Sequence, residues 1–202
     1  MNCEAAVRYR ADITAGSLKI AESRVIADLL LKQADDVAWK SALHEENVLQ
    51  TRSPKTADRL AILIRGRLET MTSDLWKLIR DGSATVATHA CLAAAVKRSA
   101  LLADFLELVV KEQYRIFAEK LTHQHWDDFV ADCQSRDPEL PEWSESTINR
   151  LRSSVFQILE QAGYIDSTKS LRLQTVHIAA EVVRYLENND EGSVLRCIQV
   201  TP

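Results

Sequence analysis

The chain has 202 residues, 46% of them hydrophobic and 27% charged, and a formal net charge of −4. That composition supports one large or two small domains with a real core. The acidic balance excludes a globally basic, nucleic-acid-coating protein, so any positive surface has to be local.

Five glycines and four prolines leave few tight turns, and long helices fit better than sheets. The first residues, MNCEAAVRYRADITAG, lack the apolar run of a secretion signal, which places the protein in the cytoplasm. Residues 18–31 predict a first helix, with Leu18, Ala21, Val25 and Leu29 on one face, Ile26 and Leu30 beside it, and Ser17 placed to cap it. A second helix over 36–44 begins at Asp35 and Asp36, where the helix dipole favours negative charge. Ser53-Pro54 is a strong start signal, a capping hydroxyl before a proline at the first helical position. The helix it opens runs to about residue 70, with Leu60, Leu63, Ile64, Leu68 and Met71 inward. A short helix over 73–80 stops at Asp81-Gly82.

From 84 to 120 the pattern is almost wholly helical, with a break near Ser99. Ala87, Ala90, Ala93, Ala94 and Ala95 allow close helix approach. Leu101, Leu102, Phe105, Leu106, Val109 and Val110 are apolar all round, which predicts a central position. Lys97, Arg98, Asp104 and Glu107 interrupt the stretch. Each would cost about 2.5–3.5 kcal/mol near a bilayer centre, so the segment reads as buried core and not as a membrane span. Thr122 caps a helix to about residue 133, RDPELPEW is a turn with two prolines, and Ser144 caps the next helix. Residues 171–176 read as a short strand, 178–186 as a helix, and 194–200 as a final strand available to pair with 171–176.

The four cysteines, Cys3, Cys91, Cys133 and Cys197, form no C-x-x-C pair and suit reduced, mostly buried thiols. His123 and His125 diverge by about 200° on a helix, so they do not share a metal ion. Hydrolase, metalloprotease and nucleotide-binding motifs are missing from the sequence, which points to a non-enzymatic protein without cofactor or metal.

Residues 143–173, WSESTINRLRSSVFQILEQAGYIDSTKSLRL, are the most informative stretch. Ile148, Leu151, Val155, Ile158, Leu159 and Ala162 recur at helical spacing and face inward. Asn149, Arg150, Arg152, Ser153 and Gln157 are left outside. Asn and Gln suit adenine edges, and Arg suits guanine edges or phosphate. Ser146 and Thr147 lie in the first turn, where backbone N–H groups take phosphate. Lys169 and Arg172 follow in a loop that would reach backbone phosphates as a wing does. The ordinary alternative is a solvated polar face, or a winged helix used for protein docking. A second basic window spans 52–67, where Arg52, Lys55, Arg59, Arg65 and Arg67 face one acid, Asp58. It is either a phosphate-backbone patch or a face whose arginines pair with neighbouring carboxylates.

The expected architecture is mainly α, with a helical N-terminal unit (1–98) and a C-terminal winged helix-turn-helix-like unit (99–202). The boundary lies between 82 and 122, and no flexible linker marks it.

Five segments, AESRVIADLLL (21–31), ENVLQTRSPKTADRLAILIRGRLETM (46–71), LWKLIRDGS (75–83), AAAVKRSALLADFLELVVKEQ (93–113) and INRLRSSVFQILEQAGYID (148–166), resemble the BrxA family, small helical proteins encoded in bacterial BREX phage-defence loci. The resemblance covers most of the chain, in order, and is carried by packing and capping patterns. It implies an all-helical or nearly all-helical fold, NusB-like in part, and a non-enzymatic accessory role in BREX. Such systems combine a DNA methyltransferase with ATPase and other subunits. The partners it implies are double-stranded DNA and other BREX subunits; the family is sometimes labelled a membrane protein, and the charges within 90–110 argue against a membrane here. The rival readings are an assembly subunit of the BREX complex and a NusB-like RNA-binding protein.

Overall fold

The computed structural model describes residues 9–13, 16–137 and 140–200, and the chain is mainly helical. Helix starts follow the local signals. The Ser53 side chain accepts the Thr56 N–H where α3 (Pro54–Leu68) begins. Ser144 accepts the Thr147 N–H at the start of α9 (Glu145–Gln161). Thr122 and His125 form a reciprocal capping box at the start of α8 (His123–Arg136), and the box gives His125 a structural role. Ser17 does not cap α1 (Ile20–Leu31); Lys19 precedes that helix at φ 55 without a side-chain cap. α2 (Asp36–Lys40) continues as a π-helical turn over Ser41–Glu45.

One compact unit comprises Leu18–Arg98 together with Ile178–Leu195. In it α1 packs on α3, α4 (Ser73–Asp81) and α5 (Ala84–Arg98). The run from His89 to Val96 in α5 is buried throughout, so its alanines set a close helix spacing. Arg24 ties α1 to the end of α4 by donating to the carbonyls of Arg80 (2.6 Å) and Gly82 (2.7 Å). The late helix α10 (Ala180–Asn188) belongs to this unit. The Tyr185 hydroxyl accepts the Thr72 N–H at 3.0 Å, His89 Nδ1 accepts the Ala179 N–H at 3.0 Å, and Lys97 pairs with Glu191 at 2.6 Å. The unit is therefore not contiguous in sequence, whereas the order of predicted elements suggested a single cut between 82 and 122.

The other unit comprises the described residues of 99–177, 196–200 and those before 18. Ser99 accepts the Leu102 N–H and starts a helix that runs from 100 to 115: α6 (Ala100–Asp104), a π-helical stretch Phe105–Val110, and α7 (Lys111–Arg115). Phe105, Trp126 and Phe129 meet edge to face or tilted, with centroids 5.1–5.9 Å apart. Phe156, which the inward stripe of α9 did not predict, joins them at 6.3 Å from Phe105.

Among the described residues there is no strand; two antiparallel bridges, Lys120–Arg172 and Ile165–Leu173, stand in place of the one expected over 171–176. The final strand expected over 194–200 is instead a helix, α11 (Gly192–Ile198). Val194, Cys197 and Ile198 are buried at i, i+3 and i+4. A short apolar run satisfies both periods, and here the helical one wins. No helix of the described residues is long and apolar enough to cross a membrane.

Candidate nucleic-acid interface

The second unit presents, in chain order, the helix ending at Arg115, a bridge residue at Lys120, α8, α9, and a hairpin whose arms meet at Ile165 and Leu173; the two-proline turn expected over RDPELPEW lies partly outside the described residues. Backbone bonds tie the segment around Lys120 to the hairpin: the Leu121 N–H donates to Leu171 (2.9 Å) and the Leu173 N–H to Glu119 (3.0 Å). The arms close through the Asp166 N–H to Arg172 (3.0 Å) and the Gln174 N–H to Tyr164 (2.9 Å). Tyr114 braces the hairpin, donating its hydroxyl to the Gln174 carbonyl, and burial pushes that phenol up to about 12.

α9 is held by its inner face. Leu151, Val155, Ile158 and Leu159 are fully buried, each worth about 1.5–3 kcal/mol against exposure. The helix ends in a Schellman motif, with Gly163 at φ 85 and the Tyr164 N–H bonded to Leu159 (2.9 Å). That geometry fixes where the hairpin leaves the helix.

On the outer face the predicted residues separate. Arg150 is exposed, and among the described residues no acidic side chain pairs with it. Ser146 and Thr147 share hydrogen bonds with the Ser144 hydroxyl at 3.0 Å each, in an open first turn. Ser153 is exposed and donates to the Asn149 carbonyl at 2.9 Å. Arg152 is not free: its Nη1 lies 3.1 Å from both carboxylate oxygens of Asp127 on α8, and its Nη2 donates to Asn149 Oδ1 at 2.8 Å. Asp127 thus cancels Arg152 and leaves the Asn149 amide nitrogen as that residue's open polar group.

The loop after the first arm is organised by one carboxylate. Asp166 accepts the Ser170 hydroxyl, the Ser167 N–H (2.6 Å) and the Arg172 N–H (3.1 Å), and these bonds hold it below the usual carboxylate range. Lys169 stands exposed on this loop, and Arg172 makes only a loose surface pair with Glu119 (3.7 Å).

The 52–67 window does not form one basic surface. Arg52, Lys55 and Arg59 are exposed. Arg65 pairs with Glu69 at 2.7 Å and lies over the Trp39 ring at 5.1 Å. Arg67 is buried, with 5% of its surface accessible, so it is unavailable to a partner. The helical period turns it inward beside Ile64 and Leu68. Among the described residues no group of three metal-ligating side chains occurs.

The BrxA family model matches residues 7–190. The chain belongs to the BrxA family. It is similar to a "BREX protein BrxA" of Paramagnetospirillum magneticum (strain ATCC 700264 / AMB-1), with 50% identity over 96% of this chain and 98% of that one. A second "BREX protein BrxA", from Escherichia coli O9:H4 (strain HS), is 34% identical over 93% of this chain and 88% of the relative. Among solved structures, the crystal structure of an uncharacterized protein from Magnetospirillum magneticum is similar at a TM-score of 0.88 and 48% identity. That match covers 96% of this chain and 100% of the other. The BrxA-family fold is thus shared over nearly the full length.

Proposed function

We propose that this BrxA-family chain is a non-enzymatic, duplex-DNA-binding component of a BREX phage-defence system, acting in the cytoplasm. What supports this reading is the order helix, bridge, α8, α9 and hairpin, which is similar to that of a winged helix-turn-helix, combined with exposed Arg150 on the outer face of α9, which has no acidic partner among the described residues. In this reading α9 lies in the major groove. Arg150 and the amide of Asn149 meet base edges or phosphate, and the first-turn groups of Ser146 and Thr147 take a phosphate at the helix start. Ser153 extends the same face, and Lys169 with Arg172 hold the backbone beside it. The α3 cations are not needed for this contact.

The test is duplex binding at several salt concentrations with Arg150→Ala, Lys169→Ala and Arg172→Ala. Weaker binding with a shallower salt dependence supports the assignment, and unchanged binding rejects it. One observation favours a protein-docking use of the same unit: Asp127, Asp128 and Asp132 lie along α8, and Asp127 already neutralises Arg152. Stoichiometric capture of a BREX subunit without duplex affinity would select that reading. Stronger binding of structured RNA in competition would select an RNA-binding, NusB-like role.

A further inference from the structure

Ile62 is 72% exposed in the middle of α3, and a phosphate-binding surface has no use for it. It lies at i+7 from Lys55 and i+3 from Arg59, so the three share one helix face. Arg98 continues that face, because a Cβ at Gly66 would lie 3.9 Å from its guanidinium carbon. Lys55, Arg59 and Arg98 are exposed. The surface is therefore an isoleucine framed by cations.

The other unit carries a counterpart. A groove of about 480 Å³ runs between the π-helical turn with α7 and the outer side of α8. Leu108, 50% exposed, and Phe129 give it an apolar floor, and Glu112, Asp128 and Asp132 line its walls. Arg115 pairs with Glu112 at 3.2 Å and Gln124 donates to Asp128 at 2.8 Å, while the exposed Asp132 carboxylate has no side-chain partner among the described residues. Arg136, at the groove end, turns back to donate to the Asp132 carbonyl at 3.2 Å. Leu108 lies in the π-helical stretch, whose buried residues are Phe105, Leu106 and Val110.

We propose that the groove of one copy receives the Lys55–Arg59–Ile62 face of α3 from a second copy. Ile62 enters between Leu108 and Phe129, and the cations meet Asp128 and Asp132. The charges are complementary, and one exposed isoleucine faces an apolar floor made by Leu108 and Phe129. Such a contact is heterologous, so it closes into a ring or propagates along a row of copies. One helix in one groove buries less than the roughly 1,200 Å² of a standard interface, so the association is weak and concentration-dependent. Asp127, one residue over from Asp128, faces α9, so the groove and the DNA-facing side of α9 use different sides of α8.

The experiment is sedimentation velocity of the full chain without nucleic acid over roughly 5–500 µM. The groove variant is Asp128→Lys with Asp132→Lys, and the α3 variant is Lys55→Glu with Arg59→Glu. Circular dichroism establishes that both fold, and the substituted side chains are all exposed. The wild type should gain mass with concentration. Each variant alone should stay monomeric, because each presents two surfaces of like charge to itself. An equimolar mixture should associate again, because it restores one native contact and creates one charge-swapped contact. A wild type that stays monomeric across the range overturns the proposal, and so do variants that associate as the wild type does or a mixture that fails to recover. Since DNA is absent, failure here leaves the duplex assignment untouched, and loss of duplex binding in Arg150→Ala leaves this one untouched.

Discussion

Replacing Arg150, Lys169 and Arg172 together with alanine should flatten the salt dependence of duplex binding by a calculable amount. Each neutralised phosphate contributes about 0.9 to the slope of log affinity against log salt. Among the described residues Arg150 and Lys169 have no acidic partner, and the Arg172–Glu119 pair is long and solvent-exposed, so it competes weakly with phosphate. The three together account for a slope of about 2.7, or roughly 40-fold of the affinity lost across a fourfold rise in salt. Fluorescence anisotropy on a labelled duplex at graded salt measures it. Arg152→Ala is the internal control. Asp127 already holds that guanidinium, so its loss should leave the slope unchanged and lower stability by up to about 1 kcal/mol. A triple variant with the wild-type slope, or an Arg152→Ala slope reduced as much as that of Arg150→Ala, would refute the reasoning.

Gly163→Ala should cost about 1–2 kcal/mol, because φ 85 is strained for any residue with a Cβ while the nearest atom, on Val176, lies at an ordinary 3.8 Å; thermal denaturation should show a melting point lower by a few degrees. Asp166→Ala should free the 167–172 loop and speed amide exchange there without unfolding α9. The pH dependence follows from the same carboxylate: its folded-state pKa is depressed, so its contribution is fully present above the ordinary carboxylate value of about 3.9 and disappears as pH falls through the lower folded value. Amide exchange of the loop in a pH series below about 5 reads this directly, and protection that persists equally in Asp166→Ala would contradict it. Burial pushes the Cys91 thiol up to about 11; burial, with Glu107 at 3.5 Å, pushes Cys197 up to about 12. Both should resist alkylation near pH 8 until denaturant is added, as peptide mass mapping would reveal, and rapid native labelling of either would count against the packing described.

What the sequence revealed was local. Ser53, Thr122 and Ser144 are caps because their partners lie three residues away, and the glycine ending α9 is visible for the same reason. The Arg65–Glu69 pair was also within reach, since i, i+4 spacing is a standing signal for pairing. Arg152 was not, because Asp127 lies 25 residues earlier on another helix. The burial of Arg67 was equally hidden: an arginine on the inward stripe still looks polar in a linear reading. The helix over 192–198 was missed because Val194, Ile198 and Val200 alternate well enough for a strand. The return of 178–195 to the first helices depends on Tyr185, His89 and Glu191 finding partners about 90 or more residues away, which no local pattern encodes.

That return path has a consequence for biosynthesis. While the ribosome is still reading the middle of the gene, α4 and α5 lack the returning segment that meets Thr72 and His89, and the nascent chain carries an unfinished apolar face until roughly its last tenth emerges. A premature stop before residue 178 would therefore harm the part of the molecule translated first, and such fragments should be early substrates for chaperones and proteases.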